Sequence, residues 1–141
     1  MLIKEIKYTD YDGNERVEKH AFNLTKPEVI ELNLSKNGGF IRWITNLVDE
    51  QDVAELSVFF RKLILMAYGK KSADGRRFEK SEEMSKEFSE TGAYEALYME
   101  LLEGGKEAVF EFLSKVMPTN GATKDEIQAL SKKIDNEVTV S

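Results

Sequence analysis

The sequence predicts a mostly α (α+β) fold: an N-terminal β-hairpin packed on a bundle of five or six helices, with a flexible C-terminal tail. Three observations carry this expectation. Residues 2–9 and 15–22 alternate apolar and polar side chains on either side of an Asp12-Gly13 turn signal. From Thr25 to Val116 apolar residues recur at three- and four-residue spacing between capping residues and glycines. Beyond Pro118 the chain turns polar, and only Ile127, Leu130 and Ile134 keep helical spacing.

In the first strand Leu2, Ile6 and Tyr8 share a face. In the second, Val17 and Ala21 share a face, with His20 in the opposite phase. Two strands alone are marginal in water, so the hairpin must pack on helices or extend another sheet. The next segment opens with Thr25 and Glu28 at capping-box spacing, Leu24 and Val29 as a staple and Pro27 in the first turn, and it ends at Gly38-Gly39. Phe40, Trp43, Ile44 and Leu47 form the stripe of a second helix.

Asp52 and Glu55 form a cap-like pair before VAELSVFFRKLILMAYG, where only Glu55, Ser57, Arg61 and Lys62 are polar. A helix apolar around most of its circumference is expected at the centre of the domain, with Gly69 as its stop. Ser81 caps a helix carrying Met84 and Phe88. Thr91-Gly92 precedes a stripe of Tyr94, Leu97, Tyr98, Leu101 and Leu102, which reads as core. Gly104-Gly105 breaks the chain before Val109, Phe112, Leu113 and Val116. The domain expectation is therefore residues 1–117 as a single helical domain with its hairpin, and 118–141 as a polar, mobile tail.

The 141 residues, 41% hydrophobic and 33% charged, suit one soluble domain with a real core. Cysteine is absent, which removes disulfides, thiolate metal sites and cysteine nucleophiles. MLIKEIKYTD has no apolar signal core and no run reaches membrane-spanning length, so no membrane association is expected. The net charge of −6 opposes nucleic-acid binding.

One stretch runs against the acidic background. YGKKSADGRRFEKSEE carries Lys70, Lys71, Arg76, Arg77 and Lys80 against Asp74 and Glu79 within residues 69–80. It is not a phosphate loop, because Gly75 is followed by Arg76-Arg77-Phe78 and the next helix starts near Ser81. Asp74-Gly75 lies between short arms of hairpin-like length, Phe78 is expected to anchor in the core, and Lys70 and Lys71 follow the negative end of the central helix. The remaining positive tip, Arg76 and Arg77 above all, suits an acidic protein surface, that of a neighbouring copy included.

His20 is the only histidine and has no partner at a recognisable spacing, so it reads as a surface or half-buried strand residue. Carboxylate pairs such as Glu28 with Glu31 read as solvated helix faces. No catalytic, cofactor-binding or metal-binding residues are identified, and no cofactor is implied. Phe40 and Trp43, directly after Gly38-Gly39, are candidate exposed anchors because Trp is enriched at interface hot spots. Together with Lys70, Lys71, Arg76 and Arg77 they make up the candidate contact residues for a partner or for self-association.

The ordered series IKYTDYDGNERVEKHAFNLTKPEVIELNLSKNGG, VFFRKLILMAYGKKSADGRRFEKSEE and FSETGAYEALYMELL resembles tail assembly chaperones of long-tailed phages and prophages of Gram-positive bacteria. The likeness runs over about residues 3–117 and is most specific in YGKKSADGRRFEKSEE. The resemblance implies a non-enzymatic protein that binds the tape measure protein, keeps it soluble and helps recruit major tail protein. It implies action in the host bacterial cytoplasm and absence from the mature virion. Coating a long partner calls for many copies, so weak self-association into a homo-oligomer fits that role, and the resemblance also implies, in many members, a longer form made by ribosomal frameshifting, of which this chain would be the short version. The competing reading is a small acidic phage or bacterial regulator that binds a host protein. The mixed charges along every helix argue against the dense acidic face that nucleic-acid mimicry needs.

If the third helix is central, Leu63→Ala should lower stability by about 2–5 kcal/mol through cavity formation, read from chemical unfolding.

Overall fold

The computed structural model describes residues 1–118. Their elements follow in the order β1 (Leu2–Thr9), β2 (Glu15–Phe22), α1 (Lys26–Leu34), α2 (Phe40–Asp49), α3 (Val53–Ala67), β3 (Tyr68–Lys71), β4 (Phe78–Glu79), α4 (Glu82–Ser89) and α5 (Gly92–Val116). The expected tail lies, from residue 119 on, outside the described residues. The mostly helical α+β class holds. The sheet, however, has four antiparallel strands in the order β1-β2-β3-β4 rather than two.

The hairpin has the expected bounds, with Ile6 opposite Glu18 and Leu2 opposite Phe22. Its turn differs from the two-residue type that Asp12-Gly13 suggests. Only Gly13 has positive φ (83°), and its N–H donates to the Asp10 carbonyl at 3.0 Å. The Asp10 carboxylate accepts from the N–H groups of Asp12 and Asn14 at 3.0 and 2.9 Å, which stabilises a three-residue loop instead. On β2 the core-facing phase is Glu18, His20 and Phe22. Val17 and Ala21 do share a face, but it is the outer one, and Val17 is 59% exposed.

The capping box of α1 forms as expected: the Glu28 N–H donates to Thr25 Oγ1 at 3.3 Å and the Thr25 N–H donates to Glu28 Oε1 at 3.0 Å. Glu28 also receives Lys80 Nζ on both oxygens at 2.8 and 2.9 Å, and the same ammonium donates to the Asn23 carbonyl at 2.6 Å. This half-buried contact ties the segment before α4 to the start of α1 across more than fifty residues. Gly39 precedes α2 at φ 90°, and the buried Asn33 side chain accepts the Phe40 N–H at 2.8 Å. Asp52 caps α3 and Ser81 caps α4.

The central helix stops earlier than Gly69. It ends at Ala67, and Tyr68 is already extended (φ −64°, ψ 138°). Gly69 pairs with Ala21 in the sheet, and a Cβ there would come within 2.5 Å of the Phe78 ring and 2.6 Å of the Glu79 carbonyl. The residue is glycine for close approach, not for helix termination. Phe78 accordingly lies half-buried across Gly69 rather than inside the core cluster. Lys70 and Lys71 sit on β3, past the last turn of α3.

The core joins sheet and helices through aromatic rings. Phe22 meets Tyr68, Phe88 and Phe112 at centroid distances of 5.9, 5.8 and 5.8 Å, and Tyr68 stacks on Phe88 at 4.0 Å. Burial pushes the Tyr68 hydroxyl pKa up, helped by the charges of Glu87 and Glu18. α5 bends at Gly105 (φ 67°, ψ −153°), a conformation reserved for glycine, so two helical pieces stand where the sequence predicts a break. Its last turn is fixed to the exit of the sheet, where the Leu24 N–H donates to the Val116 carbonyl at 2.9 Å.

Burial alone would raise the Glu28 pKa, but the hydrogen bond from Lys80, the Thr25 bonds and the Lys80 charge outweigh it and hold the carboxyl below its ordinary 4.5. A depressed folded-state value contributes stability in full above the unfolded pKa, and that contribution is lost as pH falls through the folded one. Glu28→Gln should therefore cost about 1–2 kcal/mol at neutral pH. In urea unfolding the gap to the parent should narrow as the pH drops below 4.5.

Candidate partner-binding face

Among the described residues no group of three or more His, Cys, Asp or Glu is placed to hold a metal ion. On the inner face of the hairpin the Tyr8 hydroxyl donates to Glu18 at 2.7 Å, and His20 Nε2 lies 3.2 Å from the same carboxylate. The Tyr8 bond, more than the nearby His20 and Arg16 charges, holds the Glu18 pKa below the ordinary carboxyl range. The His20 ring packs 5.1 Å from Phe88, which makes it the half-buried strand residue that its position suggests.

The basic turn organises itself around Ser72 and Asp74. Ser72 Oγ donates to Asp74 at 2.7 Å and accepts the Arg77 N–H at 3.0 Å, while Asp74 also accepts the Arg76 N–H at 3.0 Å. These bonds, the Arg76 amide first, hold the Asp74 pKa down. Arg77 pairs with Glu79 at 2.8 Å and Lys80 is spent on Glu28. Lys70, Lys71 and Arg76 are exposed and hold no ion pair among the described residues. Of the two aromatic candidates, Phe40 is completely buried and can present nothing to a partner. Its first-turn position on α2 faces the core because the Asn33 side chain caps its amide from inside. Trp43 is half-buried, packs edge-on against Phe59 at 5.1 Å and carries Lys36 Nζ 4.1 Å above its ring.

The face that sequence reasoning missed lies on α3. That helix buries Leu56, Phe59, Phe60, Leu63, Ile64 and Ala67, yet Val53, Val58 and Met66 remain exposed. The expectation that it is enclosed all round is corrected: α2, α4 and α5 pack on it, and one side stays open. Val58 is the ridge between two depressions. On one side a groove of about 270 Å³ runs between α3 and the wall formed by Leu32 and Trp43. On the other a cleft of about 360 Å³ is lined by Tyr94, Tyr98, Arg61 and the hairpin-turn Tyr11, itself 85% exposed. Tyr94 and Tyr98, expected in the core, are thus half-buried with part of their rings on this cleft. Burial raises the Tyr94 pKa, with Tyr98 adding to the rise and Arg61 opposing it.

Apolar recesses without a titrating cluster are the equipment of a binding protein. A family profile described as phage tail assembly chaperone matches residues 1–139. The chain belongs to the phage tail assembly chaperones. This is a non-enzymatic family, and the match takes in most of the C-terminal region that the sequence resemblance left uncovered. No curated protein and no solved structure matches the chain significantly. Among the described residues of this chaperone no helix is long and apolar enough to cross a membrane.

Tyr11 and Arg61 border the cleft without supporting the core. Tyr11→Ala and Arg61→Ala should each shift unfolding free energy by no more than about 0.5 kcal/mol, measured by urea titration.

Proposed function

We propose that this chaperone holds apolar helical segments of the tape measure protein during assembly of a long phage tail, keeps that protein soluble and helps bring major tail protein to it. The observation that carries the reading is the open apolar side of α3 with a tyrosine-lined cleft beside it, in a chain of a tail assembly chaperone family. Tyrosine offers large, rigid contact area with a polar tip, which suits a client that must be released again. An amphipathic client helix presents apolar anchors at three- and four-residue spacing, which a shallow recess accepts two or three at a time.

The acidic body fits the same role. A net charge of −6 keeps a client complex dispersed while its apolar segments are covered. Lys70, Lys71 and Arg76 at the basic turn, with Arg77 beside them, are the proposed contact for an acidic surface on a tail protein. The work would take place in the cytoplasm of the infected bacterium, a Gram-positive host by the resemblance, with the chaperone leaving before the tail is complete.

Co-expression with the tape measure protein of the same phage should move that protein from the pellet to the soluble fraction. Equal precipitation with and without the chaperone would sink the proposal. Tyr11→Ser combined with Arg61→Ser should lower the soluble yield while the chaperone itself stays folded.

A further inference from the structure

The groove on the other side of Val58 has a property the tyrosine cleft lacks: its α3 wall is complementary to itself. Glu55, Val58, Lys62 and Met66 fall within about 80° of the helix circumference at 100° per residue. Val58 and Met66 are 41% and 36% exposed. Neither Glu55 nor Lys62 holds an ion pair among the described residues, although both are exposed and lie on the same groove. They are two turns apart and carry opposite charges, with the apolar Val58 between them.

We propose that a second copy of this chain docks here, α3 against α3 in antiparallel fashion, about a two-fold axis passing between Val58 and Phe59. In that arrangement Glu55 of each copy faces Lys62 of the other, so both unpaired charges find partners twice over. Val58 of each copy enters the groove of its neighbour between Val58 and the Trp43 wall, which is ridge-into-groove packing. A shared two-fold surface of this kind must be self-complementary, and this one is complementary in charge as well as in shape. Sliding the partner by two turns, so that Val58 lies against Met66, would place Lys62 against Lys62, and like-charge repulsion disfavours that register.

The dimensions favour a helix ridge over other occupants. A groove of about 270 Å³ lies below the ~300–1,000 Å³ usual for small-molecule sites. Apart from α3 itself, the described helices expose a large apolar side chain only singly, Leu34 on α1 and Met99 on α5, so none of them offers a second ridge of the required kind. Val58 is shared between the two recesses, while Tyr11, Tyr94 and Tyr98 line the far side of the cleft and remain for the client, and the inference stands apart from the identity of that client.

Sedimentation equilibrium of the full chain at micromolar concentration tests it. The parent should show a monomer–dimer equilibrium. Lys62→Glu and, separately, Glu55→Lys should each weaken the dimer by about tenfold or more, because each sets like charges face to face. The double variant Glu55→Lys/Lys62→Glu should restore dimerisation, which a merely structural role of either residue would not do. Since the chain has no cysteine, Val58→Cys provides a single thiol, and oxidation should join two copies through that position. A strictly monomeric parent would overturn the proposal. So would a dimer indifferent to both charge reversals, or one that the double variant fails to restore. Both residues are exposed, and circular dichroism confirms that each variant is folded before its mass is read.

Discussion

The structure depends on the way α3 passes without a loop into β3. A hairpin of eight-residue strands cannot bury its inner face alone, and the chain solves this by making the residue after the last turn of its most apolar helix the first of a third strand. Tyr68 then stands opposite Phe22, and the Asn23 N–H donates to the Ala67 carbonyl at 2.8 Å, so helix end and sheet share one hydrogen-bonded seam. The rings of Phe22, Tyr68, Phe88 and Phe112 close over that seam and bring β2, β3, α4 and α5 to a single point. The direction of α3 is set there, and with it the positions of the helices that pack against it.

That geometry explains why an apolar helix is left partly uncovered. The sheet seam fixes one end of α3, α4 and α5 also pack on β3 and β1, and α2 is held between α1, α3 and α5. α5 is drawn toward β1, with Lys4 bonded to Glu100 at 2.9 Å and Gly92 set close under the Tyr8 ring. α1 is held at its start by Lys80, at the far end of the second hairpin. Among the described residues no element covers Val58 and Met66. An uncovered apolar ridge between two recesses is the kind of surface that the proposed function requires.

Local signals in the sequence translated well into local structure. The strands at 2–9 and 15–22, the capping box at Thr25 and Glu28, the caps at Asp52 and Ser81 and the breaks at Thr91-Gly92 and Gly104-Gly105 all depend on neighbours a few residues away. The failures share a different cause. Gly69 looked like a helix stop because glycine after an apolar helix usually is one, and only its pairing with Ala21 and its contact with Phe78 reveal the close approach. The outward face of β2 could not be chosen from Val17 and Ala21, because the choice was made by Phe22 meeting rings more than forty residues away. Phe40 followed a flexible pair of glycines, yet the buried Asn33 turned the start of α2 inward.

For the candidate site the division is sharper. The lack of thiols and the failed phosphate-loop pattern offered no catalytic motif and the basic turn carried the resemblance to its family, whereas Glu18, 3.2 Å from His20 Nε2, was not legible as a partner of the histidine. Where a partner could touch the molecule was not written in any segment. Val58 is as apolar as Leu63, and hydrophobicity alone places both in the core. By itself the sequence determined most secondary elements and their caps and carried the resemblance to its family, because those follow from short-range periodicity and from local strings of residues. The tertiary structure alone decided which side of α3 faces solvent and which charges stay unpaired. Exposure is set by how many elements compete to cover one helix, and that is a property of the whole assembly rather than of any stretch of chain.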